Sequence, residues 1–281
     1  MQSLVESARR KGSVLVAGLD PIPARLPRDV LDADLPEAES VRRFCFGVLE
    51  AVEPEVAAVK LQSAYFERLG PEGMQVYADL IAASEAMGLP TIADAKRSDI
   101  GGVAAAYAEA HLSVYGARCV TVNPYMGQDA VLPFVEEARR RDRGGGVFVL
   151  VATSNPSAET FQFGGAPPLF ETAARLVGNL GGGDGEYPDV GAVVGATRPE
   201  VGRGVRELLP GTLFLAPGYG AQGGGADGVR ALLDARGGGV FVNSSRALIY
   251  AHETSGKGYR EAAREAAGRA REELRAIGAG M

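Results

Sequence analysis

Two lysines and two aspartates have the residue types and spacing that could support proton transfer. The segment DAKRSD places Asp94 and Lys96 two residues apart, directly after a short apolar run, and Asp99 three residues further on. Residues i and i+2 of a strand point to the same face, so the side chains of Asp94 and Lys96 should project together. Lys60 ends another apolar run. We expect these four charges to alternate in one array.

An array of alternating charges would keep each lysine protonated and fixed in place. An immobile ammonium group can stabilise a carbanion that develops beside it and can then give it a proton. The alternative is a structural network of salt bridges, because such networks also perturb pKa values. The residues alone therefore predict a proton donor and leave a purely structural role open.

Two further segments suit the binding of a phosphorylated ligand. The segment PGYGAQGGG, residues 217–225, can form a flexible loop that closes over a ligand with Gln222 at its tip. The segment NSSR, residues 243–246, ends in Arg246, whose guanidinium group can bind a phosphate with two hydrogen bonds. A merely flexible connection and a surface ion pair are the respective alternatives.

Composition and the scarcity of histidine exclude several classes of function. A net charge of −6 argues against a nucleic-acid or anionic-membrane partner, which requires a basic face. His111 and His252 lie away from the strand-end motifs, and Cys45 and Cys119 lie in apolar patterns. We therefore expect no metal site, no cofactor and no serine–histidine hydrolase.

The expected location is the cytoplasm. The first twelve residues, MQSLVESARRKG, lack the apolar core of a signal peptide, and no apolar run approaches membrane-spanning length. Two thiols in apolar patterns do not form a disulfide framework, which suits a reducing compartment.

The elements that must position these residues alternate along the chain. Short apolar runs occur at Ser13–Leu19, Val56–Leu61, Pro90–Ala93, Arg118–Val122, Val147–Ala152, Gly191–Gly195, Thr212–Ala216 and Gly239–Val242. Helical patterns occur at Ser40–Val52, Gly73–Met87, Gly102–Tyr115, Ala130–Arg141, Leu169–Leu180, Glu200–Leu209, Ala226–Ala235 and Gly258–Ile277. Eight β–α units predict an α/β protein with a single (β/α)8 barrel that forms one catalytic domain over residues 1–281. A doubly wound sheet is the alternative.

Every apolar run is followed by a polar or Gly/Pro-rich motif. In chain order these are GLDP, VKLQ, DAKRSD, NPYMG, TSNP, GATRP, PGYGAQGGG and NSSR. The carboxyl ends of the strands of an α/β barrel form the face that carries active sites. The whole ring of motifs therefore predicts a site at that face.

The ordered motifs resemble those of the orotidine 5′-phosphate decarboxylase family, in its longer bacterial form, the type 2 subfamily. The family's DxKxxD signature matches Asp94, Lys96 and Asp99, and the resemblance runs from about Gly18 to Tyr250. It implies a cofactor-free barrel enzyme that decarboxylates orotidine 5′-phosphate to UMP. It also implies a homodimer in which Asp99 reaches the active site of the neighbouring subunit.

The resemblance also implies a role for each matching residue. Lys96 would protonate C6 of the pyrimidine, Asp94 would lie beside the substrate carboxylate, and Lys60 would complete the charged array. Further positions match residues that contact substrate: Asp20 and Lys60 for the ribose, Ser154 for the pyrimidine, and Gln222 and Arg246 for the phosphate.

The chain departs from the family pattern at three positions. The longer form usually reads DAKRGDIGST, whereas this chain has Ser98 in place of the first Gly, Gly102 in place of the Ser and Val103 in place of the Thr. That threonine helps to contact substrate across the dimer, and Val103 cannot donate a hydrogen bond.

Two other functions remain as alternatives. One is a Mg²⁺-dependent phosphosugar synthase or decarboxylase of the same barrel group, in which a glutamate ends the second strand; here that residue is Lys60. The other is a non-catalytic nucleotide-binding barrel, which loss of Lys96 or of an aspartate would favour.

Overall fold

Eight parallel strands pair in chain order and close into a barrel, because β1 also pairs with β8. The computed structural model describes residues 1–32, 34–141, 143–220 and 224–281. The strands are β1 Leu15–Leu19, β2 Ala58–Gln62, β3 Thr91–Arg97, β4 Cys119–Val122, β5 Gly146–Ala152, β6 Val190–Val194, β7 Phe214–Ala216 and β8 Val240–Ser244. The predicted (β/α)8 barrel is confirmed, since β1 and β8 would not pair with each other in an open, doubly wound sheet.

Helices follow the strands and surround the barrel. They are α1 Gln2–Lys11, α2 Glu37–Val52, α3 Ala64–Glu67, α4 Gly70–Ala86, α5 Gly101–Ala108, α6 Gln128–Arg140, α7 Ala158–Gln162, α8 Leu169–Leu180, α9 Pro199–Leu208, α10 Ala226–Arg230, α11 Arg246–Ile249, α12 His252–Ser255 and α13 Tyr259–Ala276. A turn of 3-10 helix covers Pro23–Arg25, and a π-helix, Glu109–Val114, continues α5.

Two layers of apolar side chains form the core. The barrel interior is filled by residues that alternate along the strands, including Val16, Ala58, Ile92, Phe148 and Phe241. The second layer lies between the outer face of the barrel and the helices. Helix α1, which the sequence patterns did not predict, packs Leu4, Val5 and Ala8 into the inner cluster.

Strand β3 continues beyond its predicted end at Ala93. Asp94 pairs in register with Gln62 of β2, and Arg97 pairs with Val122 of β4. The predicted run stopped where apolar residues stop, whereas the backbone pairing continues for four more residues, to Arg97. Asp94 and Lys96 therefore lie within a strand, which positions them more firmly than a loop would.

Helix α10 is shorter than the predicted Ala226–Ala235. After Arg230 the chain turns, because the carboxylate of Asp234 accepts hydrogen bonds from the backbone N–H groups of Arg236 (2.8 Å) and Gly238 (2.9 Å). An aspartate that bonds to its own following backbone offers the chain an alternative to the helix.

Alternation along the strands also places polar residues above the apolar interior. Two residues after the interior positions Ala58, Ile92 and Cys119 come Lys60, Asp94 and Thr121, all buried. Because the side-chain period of a strand is two, these polar side chains occupy the next layer toward the carboxyl ends of the strands. No helix in the described parts of the chain is long and apolar enough to cross a membrane.

Candidate active site

A cavity of about 400 Å³ lies at the carboxyl ends of the strands. Its lining comprises Asp20, Ile22, Arg25, Lys60, Tyr65, Asp94, Lys96, Pro217, Gly218, Tyr219, Asn243, Ser245 and Arg246. The volume is in the range of small-molecule sites. Five of the eight predicted site residues are therefore brought together around one cavity.

Asp94 is the centre of the charged cluster. Its Oδ1 accepts hydrogen bonds from Lys96 Nζ at 2.5 Å and from Thr121 Oγ1 at 2.9 Å. Its Oδ2 accepts from Lys60 Nζ at 2.9 Å and from Gln62 Nε2 at 3.3 Å. Four donors thus hold one carboxylate in a single orientation, as the alternating array requires.

The surroundings of the cluster keep its buried members ionised. Burial opposes the charge on Asp94, but the Lys60 and Lys96 ammonium groups outweigh it and lower the pKa of Asp94 well below its ordinary value. Burial also opposes the charge on Lys60, yet the carboxylates of Asp20 and Asp94 raise the pKa of Lys60 above its ordinary value. Both groups stay charged across the physiological range of pH.

The two lysines differ in exposure. The Lys60 side chain is 5% exposed, whereas the Lys96 side chain is 42% exposed. Lys60 is therefore enclosed between Asp94 and Asp20, and its Nζ lies 3.4 Å from Asp20 Oδ1. Lys96 reaches into the open part of the cavity, where it can meet a ligand.

The backbone at Lys96 has an uncommon conformation. Lys96 has a φ of +48°, the left-handed region, and is the one residue other than glycine with positive φ in the described ranges. The register between β3 and β4 shifts between Ala93 and Arg97. The Lys96 N–H donates at 3.0 Å to Thr121 Oγ1. This irregularity redirects Lys96 at the end of a strand, as bulges beside active sites commonly do.

The loop after β1 is tied to the segment after β8. Tyr250 accepts a hydrogen bond from the Ile22 N–H at 2.6 Å and donates one to the backbone oxygen of Asp20 at 3.3 Å. The Arg25 guanidinium lies 3.8 Å from the centre of the Tyr250 ring and pairs with Glu253. These contacts fix Asp20, the predicted ribose contact, at the rim of the cavity.

Arg246 lines the cavity at the start of α11. It is exposed, and its guanidinium group has no ion pair or hydrogen bond to the described residues. Beside it, Asn243 is buried and its Oδ1 has no hydrogen-bond partner in the described structure. A Cβ at Gly18 would lie 1.8 Å from Ser245 Oγ, so only glycine fits there. Gln222, the other predicted phosphate contact, lies outside the described residues.

Ser154 lies in the loop after β5, between two anchored neighbours. The Thr153 N–H donates to Gln162 Oε1 at 2.9 Å, and Gln162 Nε2 donates to Thr153 Oγ1 at 2.7 Å. Thr153 Oγ1 also lies 2.5 Å from Asn155 Oδ1. Helix α7, through Gln162, thereby fixes the start of the loop that carries Ser154.

Asp99 is the predicted catalytic residue that stays apart from the cluster. Its Oδ1 accepts a hydrogen bond from the Ile100 N–H at 2.8 Å, and no ion pair in the described structure joins it to either lysine. Val103, which stands at the family's threonine position, is exposed on α5. The described residues contain no group of three or more His, Cys, Asp or Glu side chains that could hold a metal ion.

Sequence reasoning missed Thr121, Gln162 and Tyr250. Thr121 carries the one hydroxyl group in the apolar strand CVTV. The alternation of side chains along that strand, which directs Thr121 into the barrel, was the signal that could have identified it. Gln162 and Tyr250 act across gaps of 9 and 228 residues, to Thr153 and Ile22. No local pattern in the sequence marks such contacts.

Comparison with known proteins agrees with this geometry. Residues 15–261 match the family model described as the orotidine 5′-phosphate decarboxylase / HUMPS family. An orotidine 5′-phosphate decarboxylase of Rhodopirellula baltica is 42% identical over 262 residues, which cover 87% of this chain and 86% of that protein.

Two solved structures share the architecture. A putative orotidine-monophosphate decarboxylase from Toxoplasma gondii has a TM-score of 0.86 and 32% identity, with 99% of this chain and 96% of that chain covered. A putative orotidine 5′-phosphate decarboxylase from Streptomyces avermitilis has a TM-score of 0.83 and 34% identity, with the same coverage of both chains. With its barrel, its DxKxxD array and these similarities, the chain belongs to the orotidine 5′-phosphate decarboxylase / HUMPS family.

Proposed function

We propose that this chain decarboxylates orotidine 5′-phosphate to UMP, the last step of de novo pyrimidine nucleotide synthesis. The observation that carries the proposal is the Lys60–Asp94–Lys96 cluster, in which a fixed carboxylate directs an exposed ammonium group into the cavity. Loss of CO2 leaves an electron pair in the plane of the ring at C6. Lys96 stabilises that pair electrostatically and then transfers a proton to it, which forms the C6–H bond of UMP.

The remaining predicted residues bind and orient the substrate. Arg246, together with Gln222, binds the phosphate, Asp20 and Lys60 contact the ribose, and Ser154 contacts the pyrimidine. The free and exposed guanidinium of Arg246 supports the first of these roles, because it has no competing carboxylate in the described structure. Asp94 lies where the substrate carboxylate would enter, and its charge disfavours the bound carboxylate relative to the transition state.

A homodimer with shared active sites is the assembly that these residues support. Asp99 forms no ion pair with its own cluster in the described structure, and the exposed apolar residues Ile100 and Val103 follow it. Tyr125 and Phe161 are also exposed, after the neighbouring strands β4 and β5, with ring centroids 5.6 Å apart. A second copy of the chain would cover these residues and bring its Asp99 to Lys96. Within each copy, residues 1–281 would act as one catalytic domain in the cytoplasm.

A direct assay tests the decarboxylation. Purified protein should convert orotidine 5′-phosphate to UMP, followed by the ultraviolet absorbance change, and Lys96→Ala should lose nearly all of this activity. An active Lys96→Ala variant, or a wild-type protein that leaves the substrate unchanged, would refute the proposal.

Metal dependence separates this function from that of a Mg²⁺-dependent relative. Lys60 lies within the second strand, β2, where its buried positive charge would repel a divalent cation. Turnover should therefore persist after prolonged EDTA treatment and gel filtration. Recovery of activity only upon addition of Mg²⁺ would favour the phosphosugar enzymes instead.

A further inference from the structure

Thr121 joins the two residues on which proton transfer depends. Its Oγ1 donates to Asp94 Oδ1 at 2.9 Å and accepts from the Lys96 backbone N–H at 3.0 Å. Lys96 Nζ in turn donates to the same Asp94 oxygen at 2.5 Å. The three residues thus form a closed circuit of hydrogen bonds that includes both the backbone and the side chain of Lys96.

The backbone at Lys96 requires such a constraint. The left-handed region is sterically strained for any residue other than glycine, and Lys96 has a φ of +48°. The β-bulge at this point removes the regular pairing between β3 and β4. The Lys96 N–H would be left without its strand partner, and Thr121 Oγ1 supplies a replacement.

Thr121 is held rigidly enough to serve as this anchor. It lies within strand β4, is 1% exposed, and its β-branched side chain has restricted rotation. We infer that Thr121 is a positioning residue, whose hydroxyl holds the Lys96 backbone and the Asp94 carboxylate together so that the Lys96 ammonium group stays directed at the reacting carbon. This inference rests on the proposed function.

The variant Thr121→Val tests the inference because it keeps the shape of the side chain and removes the hydroxyl. We expect its kcat to fall about a hundredfold, the loss expected from a displacement of about 1 Å at a catalytic group. The KM should change less than about threefold, because the residues that contact ribose and phosphate are untouched. Thr121→Ser, which keeps the hydroxyl, should retain kcat within about fivefold of wild type.

Thr212→Val is the matched control. Thr212 is also a buried threonine, and it lies just before β7 at the far end of the barrel. Its variant should match wild type in kcat. A Thr121→Val enzyme with wild-type kcat, or a Thr121→Ser enzyme as impaired as Thr121→Val, would overturn the inference while leaving the proposed function intact. An inactive wild type would refute the proposed function and this inference with it.

Amide hydrogen exchange provides a measurement that does not depend on folding of the valine variant. In wild type the Lys96 amide should be protected to the degree of an interior strand amide such as that of Ile92. In Thr121→Ser the protection should persist, and in a folded Thr121→Val it should fall by about tenfold or more. Rapid exchange of the Lys96 amide in wild type would show that the hydrogen bond to Thr121 does not hold the backbone, and would overturn the inference.

Discussion

The cationic side chains at the cavity differ in what holds them before a ligand arrives. Lys60 is buried between two carboxylates, Arg25 pairs with Glu253, and Arg246 is exposed without a partner in the described structure. A cation that is already paired with a carboxylate contributes little to the binding of another anion. A free guanidinium group, in contrast, can form two charged hydrogen bonds with a phosphate. Binding of the non-reacting end of the substrate should therefore depend on Arg246.

Replacement of this arginine should weaken binding of the transition state. For Arg246→Ala we expect kcat/KM to fall by about 30-fold or more, which corresponds to about 2 kcal/mol or more for the loss of one partner of a charged pair. Steady-state kinetics with orotidine 5′-phosphate measure this. With a substrate that lacks the phosphate, phosphite dianion should activate the wild type and not the variant.

The matched control is Arg230→Ala. Arg230 is also an exposed arginine, on α10, where it pairs with Asp227 at 2.9 Å. Its loss should leave kcat/KM unchanged, because surface ion pairs contribute little. Wild-type kinetics for Arg246→Ala would show that the phosphate binds elsewhere.

At the scale of elements, the short helix α7 fixes the loop that carries Ser154. Gln162 makes two side-chain hydrogen bonds to Thr153. Its Oε1 accepts from the Thr153 N–H, and its Nε2 donates to the Thr153 hydroxyl. Gln162→Ala should release the start of the loop and raise the KM for orotidine 5′-phosphate by about tenfold, with a smaller change in kcat. Gln162→Glu keeps the acceptor for the Thr153 N–H, so its KM should lie between those of wild type and Gln162→Ala.

The control for this prediction lies on the same helix. Thr160 is exposed on α7, and Thr160→Ala should leave KM unchanged. If Gln162→Ala lowers the melting temperature but not the affinity for substrate, then Gln162 stabilises the loop without positioning Ser154.

Strand alternation explains why the barrel and the charged cluster were predictable. Lys60 and Asp94 lie within strands, where the period of two fixes the direction of each side chain. The left-handed backbone at Lys96 and the π-helix after α5 have no such local signal. The Lys96 backbone is held by Thr121, which lies 25 residues away in the chain.

At the scale of the whole molecule, the position of Asp99 predicts that function requires two chains. Lys96→Ala and Asp99→Ala should each be nearly inactive as homodimers. When the two variants are mixed after reversible dissociation, half of the dimers should be mixed if subunits reassort randomly. Each mixed dimer contains one site with both residues intact, so about a quarter of all sites should be whole. Activity should rise toward that fraction of wild type.

Size-exclusion chromatography with differently tagged variants provides the control for subunit exchange. Should exchange occur while activity stays at background, Asp99 acts within its own chain. A Lys60→Ala variant mixed with Lys96→Ala is a further comparison, because both residues belong to one cluster. That mixture should not recover activity, since no site in it has both lysines intact.

Closure of the sheet has a consequence for how the protein can aggregate. Each of the eight strands has a hydrogen-bonded neighbour on both sides, since β8 pairs with β1. An open sheet exposes unpaired backbone groups at its two edges, and these act as templates for strand addition by other chains. The closed barrel exposes no such edge, so fibrillar aggregation would have to begin with chains in which the contact between two neighbouring strands has opened.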